Sequence, residues 1–434
     1  MQAEYIARNR RETRAGWHTR GESASGDAFC SISAVRIAIV TDFYYPSLGG
    51  ITEHVDGQAR ELVNRGHEVT VITGHLLRTP PVSDDALEVP EPNFEIVRMG
   101  ISIPLFVPYW GNNAQTLHTY GPRLGQQLRA LFRERGFDVV HVHAPYNPQM
   151  TAWAIDNTPD DALSVATFHS VFPQTTGMDI QAELIRPAIE RLDGRICVSE
   201  ACIGSLTPYF PYAYDVIPNG IDADHFSPDA APVEELLGDH RNIVFIGRFD
   251  PRNGVDTMIR AHQLLFAERG PDVRLIVVGD GPLRRVYERM VSDEARPYVH
   301  FAGRLNRSRP NYLVTGDVFC TPCDRASFGM VLLEAMSCGR AVAASRISGF
   351  QLLMEDGRQG FLVNPARSPE RFADALRTLL DDDDLRLRMA AEGRRTALEN
   401  YSWPTVTRHL QAYYTDLIAG RRPAWASARS SLAS

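Results

Sequence analysis

The sequence contains no lysine: all 45 of its basic residues are arginine. Any anion held by a side-chain cation must therefore be held by arginine, or by histidine when protonated. No run of about eighteen apolar residues occurs, which argues against a transmembrane helix. The first 34 residues carry Arg8, Arg10, Arg11, Arg14 and Arg20 but lack the apolar core of a secretory signal. They read as a flexible arm or an over-called start, with a basic membrane-touching arm as the alternative. Cysteine is sparse, and Cys320 and Cys323 form a C-x-x-C with no second pair at zinc-ribbon spacing. Together with Cys30, Cys197, Cys202 and Cys338 they read as packed, reduced thiols of a cytoplasmic protein. Positive charge is not in excess either. The net charge of -8 argues against a general nucleic-acid binder, though not against a local basic pocket.

What is present predicts order. A length of 434 residues exceeds one compact core and predicts two domains; 44% apolar and 23% charged residues mark a soluble globular chain. In "VRIAIVTDFYYPSLGG", Val35 to Thr41 is a β-branched run, and Gly49-Gly50 opens a helical pattern of Ile51, Val55, Ala59, Leu62 and Val63. Gly66 stops that pattern and "HEVTVIT" follows as a strand, so the unit demands a right-handed parallel crossover. Apolar runs continue through "FEIVRMG", "FDVVHVH", "LSVATFH", "GRICVSE" and "YDVIPNG". A second series comprises "NIVFIGRFD", "VRLIVVGDG", "YVHFAG", "DVFCTP", "RAVAAS" and "GFLVNP". The fold class is α/β: two doubly wound, Rossmann-like domains with ligand at the carboxyl ends of the strands. The boundary falls near "IDADHFSPDAAPVEELLGDHRN", giving domains at 35–225 and 226–403. Val406, Leu410, Tyr413, Leu417 and Ile418 form one stripe of a last helix over 404–420, and residues 421–434 look loose. The aspartates at 381–384 read as a solvated helix start, not a calcium loop. In "ISIPLFVPYWGNN", Phe106, Tyr109 and Trp110 lie between prolines, which argues against a regular strand or helix. It reads as a loop packed on its own domain, or as an acceptor-side or membrane-touching loop.

Several positions have the makings of a site. Gly49 and Gly50 let backbone amides approach a phosphate or hydroxyl, although glycine also simply ends strands. In "GRFDPRNG", Arg248 and Arg252 follow a strand's carboxyl end, where guanidinium forks suit a diphosphate; two solvent-exposed arginines are the plainer alternative. Ser327, Phe328 and Gly329 precede "MVLLEAM" as its cap or first turn, where free amides point at an anion. Glu334 stands two turns in and suits paired sugar hydroxyls, or is an ordinary helix glutamate. His169 ends "SVATFH" and either enters a cleft or is a satisfied rim histidine. His141 and His143 alternate along "VVHVHAP" and are expected to face opposite sides of a strand, which would keep them from sharing a metal.

Taken in order, "GGITEHV", "ATFHS", "VSE", "VIPNGID", "GRFDPRNG", "VVGDGPLR" and "SFGMVLLEAMSCG" resemble the retaining GT-B glycosyltransferases of family 4, over roughly residues 35 to 420. The "VPYWGN" loop and "ATFHS" look closest to the phosphatidylinositol mannosyltransferase branch. The resemblance implies transfer of a hexose from a nucleoside diphosphate sugar, GDP-mannose or a UDP-sugar, onto a lipid or glycan acceptor. Retention at the anomeric carbon and no metal or other cofactor go with it. His169, Arg248 and Arg252 would be the catalytic residues. His169 would contact the transferred sugar, while Arg248, with Arg252 keeping a second cation nearby, would neutralise the leaving diphosphate. Gly49, Gly50, Asn253, Gly281 and Ser327 would lie along the donor. The amides of Phe328, Gly329, Met330 and Val331 would bind sugar hydroxyls and phosphate, and Glu334 would hold the ribose. The last helix would cross back to the first domain, and the protein would be cytoplasmic or peripheral at the inner membrane face.

Two departures from the family pattern stand out. Its usual lysine in the diphosphate loop falls at Asn253, and its first glutamate, eight positions before Glu334, falls at Ala326. Deleting a cation that faces a diphosphate costs about 2–4 kcal/mol of transition-state stabilisation, unless a neighbour such as Arg252 replaces it. Asp324 or Arg325 would have to serve for the missing glutamate. Three readings follow: an active transferase with altered donor contacts, a catalytically degenerate nucleotide-sugar binder acting as partner or regulator, and a nucleotide-sugar epimerase. The first fits the ordered strings best.

Overall fold

The computed structural model describes residues 34–77, 91–106, 115–146, 149–172 and 174–420. The expectations for residues 1–33, Tyr109, Trp110 and the tail at 421–434 lie outside the described residues.

The first lobe is built on β1 Arg36–Thr41, β2 Glu68–Leu76, β3 Glu95–Phe106, β4 Gln115–Tyr120, β5 Val139–His143, β6 Leu163–Phe168, β7 Gly194–Cys197 and β8 Asp215–Val216. They lie in the order β4-β3-β2-β1-β5-β6-β7-β8. The second lobe has β9 Arg241–Ile246, β10 Val273–Val278, β11 Val299–Gly303, β12 Val318–Thr321, β13 Ala341–Ser345 and β14 Gly360–Val363, ordered β11-β10-β9-β12-β13-β14. Helices α1 Gly50–Asn64, α2 Leu124–Arg135, α3 Met150–Asn157, α4 Thr176–Glu190 and α5 Glu200–Leu206 belong to the first lobe. Helices α6 Val255–Arg269, α7 Arg284–Met290, α8 Arg309–Thr315, α9 Met330–Ser337, α10 Pro369–Asp381 and α11 Asp383–Tyr401 belong to the second, and α12 Trp403–Ile418 follows.

The central strands are buried on both faces, as their unbroken apolar runs require: all of β5, β12 and β13, and β1 and β9 beyond their first residue. In each lobe the strand order reverses beside the first strand, with β1 between β2 and β5, and β9 between β10 and β12. Crossovers leave such a point toward opposite faces and open a crevice at the carboxyl ends of the strands. Asp382 caps α11 by accepting from Leu385 N at 2.8 Å, so the acidic run does open a helix.

The reading of residues 101–106 needs correction. Ile101 to Phe106 continue β3 and pair antiparallel with β4, a strand absent from the sequence reading. Pro104 is tolerated because β3 pairs with β2 only as far as Ser102 and has one neighbour beyond it.

Helix α12 returns to the first lobe. Tyr413 Oη accepts from Arg195 N at 3.0 Å, Tyr414 Oη bonds His141 Nδ1, and Gln411 Oε1 accepts from Arg65 at 2.9 Å. Its first residue, Trp403, lies on two glycines: a Cβ at Gly57 would come within 2.2 Å of the indole and one at Gly220 within 2.5 Å. Among the described residues no helix is long and apolar enough to cross a membrane.

Candidate active site

The loop after β9 is pressed against the exit of β12. Gly254 has φ +76°, and a Cβ there would meet Pro322 O at 2.1 Å, so only glycine fits. Asp324 N donates to Arg252 O at 2.9 Å, and Asn253 Oδ1 accepts from Cys323 Sγ at 3.7 Å. Asn253 Nδ2 also donates to Arg248 O at 2.8 Å. The residue at the lysine position is thus a brace for the loop. Gly281, after β10, packs on Phe249 beside Arg248; a Cβ would approach within 3.0 Å.

Arg248 reaches solvent, yet the protein packed around this concave position desolvates it and lowers its pKa, with Arg252 and Arg304 adding repulsion. Arg252 lies 4.0 Å from the Asp250 carboxylate, and among the described residues its buried Nε has no hydrogen-bond partner. Arg304 was missed in the sequence. Desolvation lowers its pKa, with Asp280 opposing, and it donates to Leu48 O of the first lobe at 3.5 Å. A signal was available: "GRFD" after β9 and "GRLN" after β11 place a Gly-Arg at corresponding strand ends. Guanidiniums that repel one another in a partly dry cleft are primed for an anion.

Helix α9 begins at Gly329, whose φ is +107° and whose Cβ would lie 2.7 Å from Phe350. Among the described residues no side chain caps the helix. Leu332 N and Leu333 N bond back to Gly329 O at 3.0 and 3.1 Å, so helical geometry directs the Met330 and Val331 amides off the end. Phe328 is buried and meets Tyr401 edge-on at 5.9 Å, which pins the turn. Ser327 O accepts from Ser199 Oγ across the gap. Gly50 stands opposite the helix tip: a Cβ on it would be 3.8 Å from Met330 Cγ. Gly49 has open space around it. The first lobe's glycine turn and the second lobe's uncapped helix therefore face each other.

Glu334 is fully buried and accepts from Arg309 Nη1 at 2.8 Å. Ala326 is half-buried, and its carbonyl packs so tightly on Gly349 that a Cβ there would sit 2.2 Å away. Asp324, one substitute considered for the missing glutamate, lies 3.4 Å from Arg367.

The histidines correct the parity argument. Residues two apart in a strand share a face, and the His141 and His143 rings stack 4.4 Å apart at 22°. His143 Nδ1 lies 3.0 Å from His169 Nε2, and His54 of α1 meets His169 edge-on at 4.8 Å. Ring nitrogens of His54, His143 and His169 fall within 4.8 Å of one another, a donor set of the kind that suits a borderline divalent cation such as zinc. Burial holds His54 down at about 4 and His141 at about 3, and it pushes His143 and His169 well below the usual imidazole range. At neutral pH His169 is thus a neutral hydrogen-bonding group, and the cations of the cleft are arginines. Tyr146 Oη fixes its backbone by accepting from His169 N at 2.7 Å.

Residues 48–225 match the family model described as Glycosyltransferase Family 4, and residues 240–382 match that of Glycosyl transferases group 1. The chain is similar to a phosphatidyl-myo-inositol mannosyltransferase from Mycolicibacterium smegmatis, 30% identical over 383 residues, which cover 88% of this chain and 93% of that one. It is also similar to a GDP-mannose-dependent alpha-(1-6)-phosphatidylinositol monomannoside mannosyltransferase of the same species, 28% identical over 402 residues, 89% and 99% of the two chains. Among solved structures, the sucrose-phosphate synthase of Thermosynechococcus elongatus shares the fold with a TM-score of 0.66 and 22% identity. It covers 89% of this chain and 100% of its own.

Proposed function

The chain belongs to glycosyltransferase family 4, and from that membership we propose that it moves a hexose from a nucleoside diphosphate onto a lipid or glycan acceptor, with retention and without a metal. The observation that carries the reading is the convergence of Arg248, Arg252 and Arg304 on a gap closed by the uncapped tip of α9. Breaking the bond between the anomeric carbon and the β-phosphate oxygen puts charge on the departing diphosphate. Oriented amides and guanidiniums stabilise that charge without reorganising, where water would have to. The acceptor oxygen bonds the same face of the sugar, and its proton passes to the departing phosphate oxygen. No protein base is required, which suits a cleft whose His169 is neutral and whose Glu334 is engaged with Arg309.

The names of the mannosyltransferase relatives favour GDP-mannose as donor and an inositol lipid as acceptor. The test incubates GDP-mannose and UDP-glucose separately with phosphatidylinositol vesicles and assigns the anomeric configuration of the product by NMR, with and without a chelator. An α-mannosyl lipid formed at an unchanged rate in chelator is expected. A β-linked product contradicts retention, and loss of activity in chelator contradicts metal independence and points to His54, His143 and His169.

A second reading, a binder without turnover, is favoured by Ala326 and by the bracing role of Asn253. Under it the wild-type chain binds nucleotide yet turns over no acceptor, and the pair Ala326→Glu with Asn253→Lys creates activity. Under the first reading that pair shifts donor preference only.

A further inference from the structure

Arg309, the first residue of α8, forks between carboxylates from opposite lobes. Its Nη1 is 2.8 Å from Glu334 Oε1 and its Nη2 is 2.9 Å from Glu53 Oε1. Its Nε donates to Asn306 O at 3.0 Å, and its face lies over Phe226, 5.2 Å from the ring centroid. The guanidinium is thus fixed at every nitrogen and against one face. Glu53 lies in the first turn of α1, three residues beyond Gly50. Glu334 is fully buried with one oxygen taken by Arg309, while its Oε2 has no hydrogen-bond partner among the described residues. A buried carboxylate oxygen left unpaired is costly and marks a place for an external donor.

We propose that Arg309 is a positioning residue of the donor site: it presents Glu334 Oε2 to a ribose hydroxyl of the nucleoside diphosphate and, through Glu53, links that presentation to closure of the first lobe onto the second. This deepens the functional reading above and rests on Glu334 meeting the ribose. The guanidinium is shared. Without Glu53 it still orients Glu334 but no longer joins the lobes. Without the guanidinium, two carboxylates remain in a dry site and Glu334 takes up a proton.

That difference has a pH signature. Glu334 is raised to about 7, chiefly by burial, with Arg309 opposing the rise and Glu53 adding to it. Among the described residues, the other titratable groups that interact with the triad are Cys338, pushed up to about 12 chiefly by burial and flanked by Arg340 and Arg394, and Tyr45 beside Arg309 and Arg307. Protonating Glu334 removes the charge that strengthens its hydrogen bond to a ribose hydroxyl and turns one carboxylate oxygen from acceptor to donor. Affinity should therefore fall as pH drops through about 7, and removal of Arg309 should move that fall to higher pH.

The experiment measures GDP and UDP binding by calorimetry across pH for wild type, Arg309→Met, Arg309→Lys and Glu53→Gln, with circular dichroism confirming each fold. For whichever nucleotide binds the wild type, Arg309→Met should weaken binding at least about tenfold near neutral pH and displace its midpoint upward. Arg309→Lys should restore the midpoint but only part of the affinity, since one ammonium replaces a fork. Glu53→Gln should keep binding within about threefold and lower acceptor-dependent kcat about tenfold or more. Should Arg309→Met fail to fold, Arg309→Lys and Glu53→Gln carry the test. Wild-type binding with an unshifted Arg309→Met profile, or wild-type kinetics in Glu53→Gln, overturns this inference and leaves the functional reading intact. Absence of binding by the wild type overturns both.

Discussion

Arg248 is the side chain on which the chemistry leans most. It reaches solvent, is repelled by Arg252 and Arg304, and stands beside a loop held by Asn253 and Gly254. Arg248→Ala should lower kcat/KM about 10²–10³-fold, as loss of one oxyanion donor does, while leaving the melting temperature unchanged. Gly329 differs in kind. With φ +107° and Phe350 2.7 Å from any Cβ, Gly329→Ala should both strain the turn and misplace the Met330 amide. Destabilisation of about 1–3 kcal/mol is expected, measured by chemical denaturation. At this scale the sequence was legible at Gly329, a glycine before an apolar helix that the fold places at positive φ, while a site role for the arginines after a strand was one of two readings that sequence left open. It was illegible where partners are distant in the chain, as with Glu53, Arg309 and Glu334. The orientation of His141 and His143 was readable, since a strand repeats every two residues, and the reading misapplied that period.

Among elements, every apolar run named in the sequence contains a strand; the central runs are buried on both faces, which leaves them few other ways to fold, whereas β8 and β11 are only partly buried. Strand β4 escaped notice because "QTLHTY" is mostly polar and lies at the sheet edge, where one neighbour suffices. Helix α12 was visible from its stripe and its return to the first lobe was expected from the family resemblance, but the residues it docks on were not legible. Trp403 needs bare backbone at Gly57 and Gly220, and no periodicity announces that. Gly57→Ala should therefore displace the indole and loosen α12 from the first lobe, by about 1–3 kcal/mol through overpacking. Hydrogen exchange is the measurement: faster exchange in 403–418 is expected, and unchanged protection contradicts the docking.

For the molecule as a whole, burial sets a pH response. His54 and His262 are held at about 4 and His141 at about 3, and burial pushes His143 and His169 well below the usual imidazole range. The unfolded chain protonates these rings near pH 6.5, so it binds more protons than the fold below that value, and stability is lost as pH falls toward about 4. Asp42, raised by burial to about 6, and Glu334 at about 7 act the opposite way, since the fold keeps their protons longer. Five histidines outweigh two carboxylates. The denaturation midpoint should drop between about pH 7 and pH 5, and a midpoint that rises contradicts the neutral, buried cluster.

The two lobes meet through Arg309, Ser327 and the Gly50–Met330 approach, and the functional account depends on that gap accepting a diphosphate. Its most direct test is the release of GDP from GDP-mannose by the purified chain in the presence and absence of phosphatidylinositol vesicles. The account predicts release that requires the acceptor and is lost in Arg248→Ala. Equal release without acceptor, or full release by Arg248→Ala, would contradict it.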